Sequence, residues 1–512
     1  MREYCKANPD NQEALYILST LIRDEYPSLY KKLNRTLLIK ADRYYDEALQ
    51  VVSPLELTQK EFLRLLYGLH RSLRYKDAER LATQRLKENP DDKRLKIALA
   101  DTLYRLRRYK EAAMLYEETK RYLHAARSYF RADDEVGLMR IVTLTEKMKG
   151  PTPCSALILM GKQYRSHGKT DKALRFLRKA YRNYQSCKEE ALWEIAWTEY
   201  LNRQYLNAAY NLRDLYNKYK NPKYLYWLKR ANSYLNLSEL SIKTPLDRES
   251  FYYSLLNYKR TIKNILLNQG NNSFFFRLSF KNNDLTSVYL NRINALKEAG
   301  LRKYIRREIL FQIERNEKDR KALIKELFNS GFYRDGILLA KRFSIEDRRL
   351  LYPVTYPELI GQICKELHLD PLLLLSLMRV ESRFDPMALS RSGAKGLMQL
   401  MDFTARRWAE RNGIKVSFEE DDENSVFNPE INVRLGATYL KWLLERFKNP
   451  FLAVAAYNGG ENAVDRWLKE LKYNGIDEFL EMIPYEETRL YVKKVFSTYE
   501  KYRSIYLRPT LS

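Results

Sequence analysis

Two stretches constrain what the first two thirds of this chain can fold into. "LRYKDAERLATQRL" begins at Leu73 and "RRYKEAAMLYEETK" at Arg107, so Tyr75 and Tyr109 stand 34 positions apart and Ala78 and Ala112 keep the same spacing. Between them "NPDDKRLKIALADTLYRL" supplies a turn, Asn89-Pro90-Asp91, and then a second apolar-periodic segment. A small residue at a fixed place in each period lets two helices approach, and the tyrosines and leucines around it fill the seam. A single such hairpin cannot bury its apolar stripe alone, so the pattern demands a stacked array.

Weaker echoes follow in "GKTDKALRFLRKAYRNY" from Gly168 and "RQYLNAAYNLRDLYNKY" from Arg203, where Ala173 and Ala208 are 35 apart. "DRYYDEALQ" from Asp42 and "SGFYRDGILLAKRF" from Ser330 read as degenerate members. The period resembles that of the tetratricopeptide repeat. Residues 1–350 are therefore expected to form a helical-repeat superhelix; "NQGNNSFFFRLSFKNND", residues 268–284, fits neither helix nor a clear strand. The tyrosines of these repeats read mainly as hairpin core with a polar tip.

The formal net charge of +26 is unevenly placed. Residues 351–512 hold 22 Lys+Arg against 23 Asp+Glu, so the whole excess lies in residues 1–350. Such a field favours an anionic partner, and equally suits an ordinary solvated surface. No nucleic-acid recognition motif accompanies it, and none is expected as a partner. The four cysteines, Cys5, Cys154, Cys187 and Cys364, have no metal-ligand spacing and read as half-buried thiols; the four histidines are equally scattered. Zinc chemistry and a Ser/His/Asp system are thereby disfavoured, and no metal or cofactor is expected. "MREYCKANPDNQEALYILS" holds no apolar core of signal-peptide type, so export would need a signal removed from, or lying outside, this chain.

Near Pro353 the character changes. Residues 351–512 contain 8 of the 17 glycines, and the chain's Gly-containing motifs lie there. "LLLLSLMRVESRFDP", Leu372–Pro386, is preceded by Asp370-Pro371, an N-cap followed by Pro at the first helical position. The helix is apolar nearly all round, which predicts burial, and Pro386 is expected to stop it just past Glu381. A carboxyl group in an apolar wall at a helix C-terminus is pushed toward its protonated form by desolvation and by the dipole. Arg379 and Arg383 would oppose this if they pointed the same way.

Four further segments follow. "SRSGAKGLMQLM", from Ser390, has the glycines for a tight turn and then an amphipathic helix start; "FNPEINVRLGATYLKWLLERF" is a Pro-started helix with Gly436 at a close contact. "AVAAYNGGENAV" ends one helix at Gly459-Gly460 and begins another, and "IPYEETRLYVKKV" closes the set. In this order E-S-x-F-x-P, G-x-x-G-L-M-Q-L-M, A-Y-N-x-G and I-P-x-x-E-T-R-x-Y-V, over about 130 residues, resemble the catalytic domain of the soluble lytic murein transglycosylases. That domain is lysozyme-like and related to goose-type lysozyme.

The resemblance implies an all-α protein with a repeat domain over 1–350 and a catalytic domain over 351–512. It implies cleavage of peptidoglycan between N-acetylmuramic acid and N-acetylglucosamine, in the periplasm or at the cell envelope. Glu381 is implied as acid and then base, with Ser382 its motif companion. Ser390, Gln399, Met401, Tyr439, Tyr457, Asn458 and Glu487 fall at groove positions. Two departures stand out: Asp402 replaces the usual Pro at the start of the next helix, where an Asp could itself act as the cap, and Gly459 replaces Ala. A goose-lysozyme-type hydrolase, or an inactive glycan-binding scaffold on the same fold, are the alternatives. The partners expected are glycan strands and, through the repeats, other proteins, with the chain itself a monomer.

Overall fold

The computed structural model describes residues 57–71, 74–235, 245–267, 287–390, 392–418 and 422–507. The repeat echo at Asp42, the segment 268–284 and the acidic residues 419–421 lie outside them. Among the described residues the chain is all-α, with only isolated bridges and no sheet. It divides into two compact units, one running to Thr244 and one comprising Pro245–Ser390 and Ala394–Ser512.

In the first unit each helix packs on its successor in the chain, from Gln59–Arg71 to Pro222–Tyr234. Ala78, Ala112, Ala173 and Ala208 are all fully buried in the seams between helices. Gly161 shows how close the helices come: a Cβ there would sit 2.6 Å from the Leu177 side chain. The turns are made with residues in the left-handed region, Arg107, Lys120, Gly168 and Arg203 among them. After each, an amide reaches back five residues, as in Arg108 N to the Leu103 carbonyl and Lys169 N to that of Tyr164, closing the preceding helix.

The buried tyrosines place their hydroxyls on carboxylates. Tyr129 donates to Glu117 at 2.7 Å, Tyr164 to Glu135 at 2.9 Å and Tyr224 to Glu189 at 2.7 Å. Tyr116 does the same to Asp101. The ring fills the seam and the polar tip is satisfied at its rim, as a half-buried amphipathic side chain requires.

The cysteines depart from the reading as isolated thiols. Cys154, in helix Pro151–Ser166, is disulfide-bonded to Cys187, in the short 3-10 turn Gln185–Cys187, with Cα atoms 6.5 Å apart. Their separation of 33 residues is close to one repeat period, so the hairpin brings the second cysteine back beside the first. Among the described residues Cys364 is free, and it is buried. A disulfide of this span suits an oxidising compartment.

The second unit begins earlier than the change of composition at Pro353. Phe251, in helix Phe251–Leu256, packs edge-on to Phe451 and Phe496; Ser254 donates to Glu500 at 2.7 Å and Tyr252 to Glu481 at 2.6 Å. Lys493 completes the buried cluster with 2.8 Å contacts to Glu481. Helix Tyr333–Arg342 repeats the hairpin pattern of the first unit, with Gly336 against Phe328 where the repeats use alanine. Within the rest of the unit, the leucine helix Pro371–Glu381 packs on the terminal helix Glu486–Tyr506, and helix Pro450–Gly459 packs on Pro429–Phe447, Glu461–Glu470 and the terminal helix.

The disulfide closes a loop of 33 residues in the unfolded chain, which by loop entropy stabilises the fold by about 3–4 kcal/mol. Changing Cys154 and Cys187 together to alanine should lower the melting temperature of the first unit by several degrees. Calorimetry with and without reductant checks this: the variant should also lose the wild-type response to reductant.

Candidate active site

Asp370 starts the leucine helix by accepting from the amides of Leu372 at 2.8 Å and Leu373 at 3.2 Å. Leu372 to Leu375, Leu377 and Met378 are buried, as an all-round apolar helix predicts. The helix ends at Glu381, before Pro386 can act. Arg383 and Phe384 both take left-handed conformations, at φ 54° and 64°. Tertiary contacts hold this turn: the Ser382 hydroxyl donates to the Leu397 carbonyl at 2.8 Å and accepts from the Phe384 amide at 3.1 Å, and the Phe384 ring is wholly buried.

Glu381 therefore sits at the C-terminus of a buried helix. The Tyr491 hydroxyl, from the terminal helix, donates to its Oε1 at 2.6 Å. Burial pushes its pKa up to about 7, against the Tyr491 hydrogen bond, which lowers it, and with a further push from the negative charge of Glu487. Neither nearby arginine offsets this. Arg379 turns away, its Nε donating to the Leu351 carbonyl at 2.8 Å and its guanidinium lying 4.2 Å over the Tyr352 ring. Arg383 is exposed. The other motif carboxylate, Asp385, is bound to Arg334 at 2.7 Å and accepts from the Met387 amide at 3.0 Å, a turn-forming role.

Tyr457 and Tyr491 are both close enough to Glu381 for its charge to raise their pKa, after burial, which is the larger cause. The Tyr457 hydroxyl donates to the Met398 carbonyl at 2.9 Å, and its ring lies 5.2 Å from that of Tyr439. Tyr439 is buried and donates to Glu461 at 3.0 Å; Arg407 holds the other Glu461 oxygen at 3.0 Å. Asn458 accepts from Thr488 at 2.7 Å, which ties the A-Y-N-x-G turn to the start of the terminal helix and sets it beside the exposed Glu487.

The described residues between Ser390 and Met401 do not form a helix start. The segment forms isolated bridges, Leu389 with Lys395 and Lys395 with Leu400, and the helix begins only at Asp402. Gly396 at φ 74° and Gln399 at φ 50° make this shape, and Asn432 locks it: its Oδ1 accepts from the Met398 amide at 2.7 Å while its Nδ2 donates to the Lys395 and Val426 carbonyls. A Cβ on Gly396 would lie 2.2 Å from Asn432 Nδ2, and one on Gly436 2.6 Å from Met398. Only glycine fits at either position. Ser390 Oγ accepts from the Ala394 amide at 2.9 Å, within the same loop.

Gln399 spends its NH2 on the Ala388 and Gly396 carbonyls, at 3.0 and 2.8 Å, while no donor among the described residues reaches its Oε1. Met401 is the partly exposed residue preceding the helix. Asp402 is the first helical residue and does not cap; it pairs with Lys395, which draws the carboxylate away from the helix amides.

The structure thus brings Glu381, Tyr457, Asn458, Glu487 and Tyr439 into one neighbourhood, and gives Ser390 and part of Gln399 to holding the loop beside it. Sequence reasoning missed Tyr491, Asn432, Thr488 and Glu461. Tyr491 was within reach, since it is the Tyr of the I-P-x-x-E-T-R-x-Y-V motif one helical turn after Glu487; Asn432 and Glu461 carry no local signal.

The Transglycosylase SLT domain family model matches residues 358–480. Over 165 residues, 31% of this chain, the sequence is 32% identical to the soluble lytic murein transglycosylase of Escherichia coli (strain K12), covering 25% of that protein. It is 33% identical over 171 residues to the membrane-bound lytic murein transglycosylase C of Actinobacillus pleuropneumoniae, covering 29% of this chain and 46% of that one. The chain spans about a quarter of the length of the soluble relative. Among solved structures, a 70-kDa soluble lytic transglycosylase in complex with bulgecin A aligns with TM-score 0.56 at 15% identity, over 100% of this chain and 92% of that chain. An inactive mutant of the lytic transglycosylase Slt of Pseudomonas aeruginosa aligns with TM-score 0.53 at 18% identity, over 95% and 80%. These two likenesses concern the fold. The family match spans Glu381, the clamped loop and the A-Y-N-x-G turn, so residues 358–480 of this chain are those that match the Transglycosylase SLT domain.

Proposed function

We propose that the protein is a lytic transglycosylase that cuts the β-1,4 bond between N-acetylmuramic acid and N-acetylglucosamine in peptidoglycan, using Glu381 as acid and then as base. The observation that carries this is a single carboxyl group, at the end of a buried helix, with a pKa of about 7 and one hydroxyl donor. Such a group holds a proton at neutral pH and can still release it, as general acid catalysis needs. The Tyr491 hydroxyl occupies Oε1, which leaves Oε2 to carry the proton to the glycosidic oxygen.

The usual glycosidase employs two carboxylates. Asp385 is engaged with Arg334, and Glu487 is exposed and raises the pKa of Glu381 by its charge. One carboxyl group is sufficient if the substrate's N-acetyl group assists at C1, a recognised exception to the two-carboxylate rule. Glu381, now ionised, then takes the proton of the C6 hydroxyl as that oxygen attacks C1. The product is a 1,6-anhydromuramyl end and no water is consumed. Tyr457, Asn458, Met401 and the open Oε1 of Gln399 are the groove side chains assigned to sugar; Tyr439 and Ser390 act by holding that wall. The charge of Glu487 adds to burial in favouring the protonated acid. The disulfide and the absence, among the described residues, of any helix able to cross a membrane fit work in the cell envelope.

A digest of purified peptidoglycan should yield muropeptides lighter by one water than a hydrolase would release, as read by mass spectrometry. Glu381→Gln should lower the rate by about a hundredfold or more. Hydrated products would establish the lysozyme-type alternative, and full activity of the variant would refute the assignment.

The pH dependence follows from the groups around the acid. Activity that needs protonated Glu381 should decline above about pH 7. Because the Tyr491 bond lowers that pKa and the Glu487 charge raises it, Tyr491→Phe should move the alkaline limb of kcat/KM to higher pH and Glu487→Gln to lower pH.

The same shift has a consequence for stability. The folded pKa of about 7 lies above the ordinary 4.5, so the contribution of this group is fully present below about pH 4.5 and is lost as pH rises through 7. Glu381→Gln does not titrate. Between pH 4.5 and 8 its unfolding free energy should rise relative to wild type by about 1–3 kcal/mol, measurable by denaturant titration at the two pH values.

A further inference from the structure

Helices Thr170–Asn183, Lys188–Leu201 and Tyr205–Tyr219 of the first unit enclose an open groove with a cavity volume of about 390 Å³. That is within the size range of small-ligand pockets. Its floor is apolar, made by the buried Leu192 and Ile195. One wall carries Arg178 and Arg182, four residues apart and hence on one face of their helix. The other carries Asn207, Asn211 and Tyr210, the last with 66% of its surface exposed.

The charges in this groove do not cancel. Among the described residues Glu199 is the carboxylate lining it, buried and engaged on both oxygens, by Arg178 at 3.2 Å on Oε1 and by Asn211 at 2.7 Å on Oε2. Arg182 is exposed and makes no ion pair or hydrogen bond among the described residues. A guanidinium fork left open beside an apolar floor and an amide wall is a combination that packing of the repeats does not need. It matches a ligand with a carboxylate at one end and an aliphatic body.

We propose that this groove binds a short acidic peptide, with Arg182 and the outer face of Arg178 on a carboxylate, Leu192 and Ile195 against an aliphatic side chain, and Asn207 and Tyr210 on peptide amides. The proposal rests on the reading of the chain as a peptidoglycan-cleaving enzyme: the ligand is then the peptide borne by the glycan strand, a part of the polymer that Glu381 does not cut. The guanidinium fork would accept phosphate as readily, whereas the aliphatic floor and the amides favour peptide.

The test uses the full chain carrying Glu381→Gln, so that nothing is cleaved, and isothermal titration with three probes: free tetrapeptide released from peptidoglycan, peptide-free glycan, and inorganic phosphate. Saturable binding of the tetrapeptide is expected. Arg182→Gln and Tyr210→Ala, each added to that chain, should weaken it at least tenfold without changing the melting temperature. In an otherwise wild-type chain, Arg182→Gln should leave cleavage of peptide-free glycan unaltered. No tetrapeptide binding at millimolar concentration, binding that Arg182→Gln leaves intact, or Arg182-dependent binding of phosphate or glycan in place of peptide would each overturn the proposal. A failure of the catalytic reading would show separately, as the absence of anhydro products from the wild-type chain, and would leave the peptide titration to be read by itself.

Discussion

The catalytic-type unit depends on how one helix lies along another. The leucine helix carries a carboxyl group at each end, Asp370 at its start and Glu381 at its last residue, and the terminal helix supplies a tyrosine hydroxyl to both. Tyr499 donates to Asp370 at 2.8 Å and Tyr491 to Glu381 at 2.6 Å. Eight residues separate the two tyrosines, close to two helical turns and so near one face of their helix. A buried carboxyl group without a donor is costly. The two hydrogen bonds therefore help set the register of the helix pair. Burial raises the pKa at both ends, to about 6 for Asp370 against its hydrogen bonds from Tyr499 and two amides, and to about 7 for Glu381 against that from Tyr491, with a further push from Glu487.

Around that acid, rigidity comes from backbone held by side chains rather than from regular structure. Among its described residues the loop from Ala388 to Leu400 contains no helix, yet Asn432, Gln399, Ser390 and Ser382 each satisfy one or more of its backbone groups. Asn432 is wholly buried and uses both ends of its amide. A buried polar network of this kind is stable only when every member is paired, which makes the loop shape specific to this set of residues. Tyr457 then bonds to the carbonyl of Met398, so the A-Y-N-x-G helix end is placed by the loop and not by its own sequence. In the first unit, by contrast, position follows from repetition: each hairpin meets its neighbours through alanines and tyrosines at the same places.

Much of this was legible residue by residue. The 34-residue period and its alanines marked the seams, Asp370-Pro371 marked a helix start, and a carboxyl group after a run of leucines marked the acid. Other features were illegible for identifiable reasons. Cys154 and Cys187 looked unrelated because their relation passes through the repeat period. Asp402 looked like a cap, but Lys395, seven residues earlier, takes its carboxylate. The motif after Ser390 looked helical because its glycines and apolar residues suit an amphipathic start, while the opposing influence, Asn432, lies on another helix. Pro386 looked like the stop of the leucine helix, whereas a serine bonded to a distant carbonyl ends it sooner.

Short-range periodicity and local chemistry account for the helical class, the hairpin repeat, the capped and buried leucine helix, and a glutamate driven toward its protonated form. Packing in three dimensions makes Tyr491 its partner, draws Asp385 off to Arg334, joins helix Phe251–Leu256 to the second unit, and sets two arginines of the first unit in a groove with Glu199. Those outcomes rest on contacts between residues far apart in the chain. The free energy of such a contact depends on burial and distance, which local sequence does not encode.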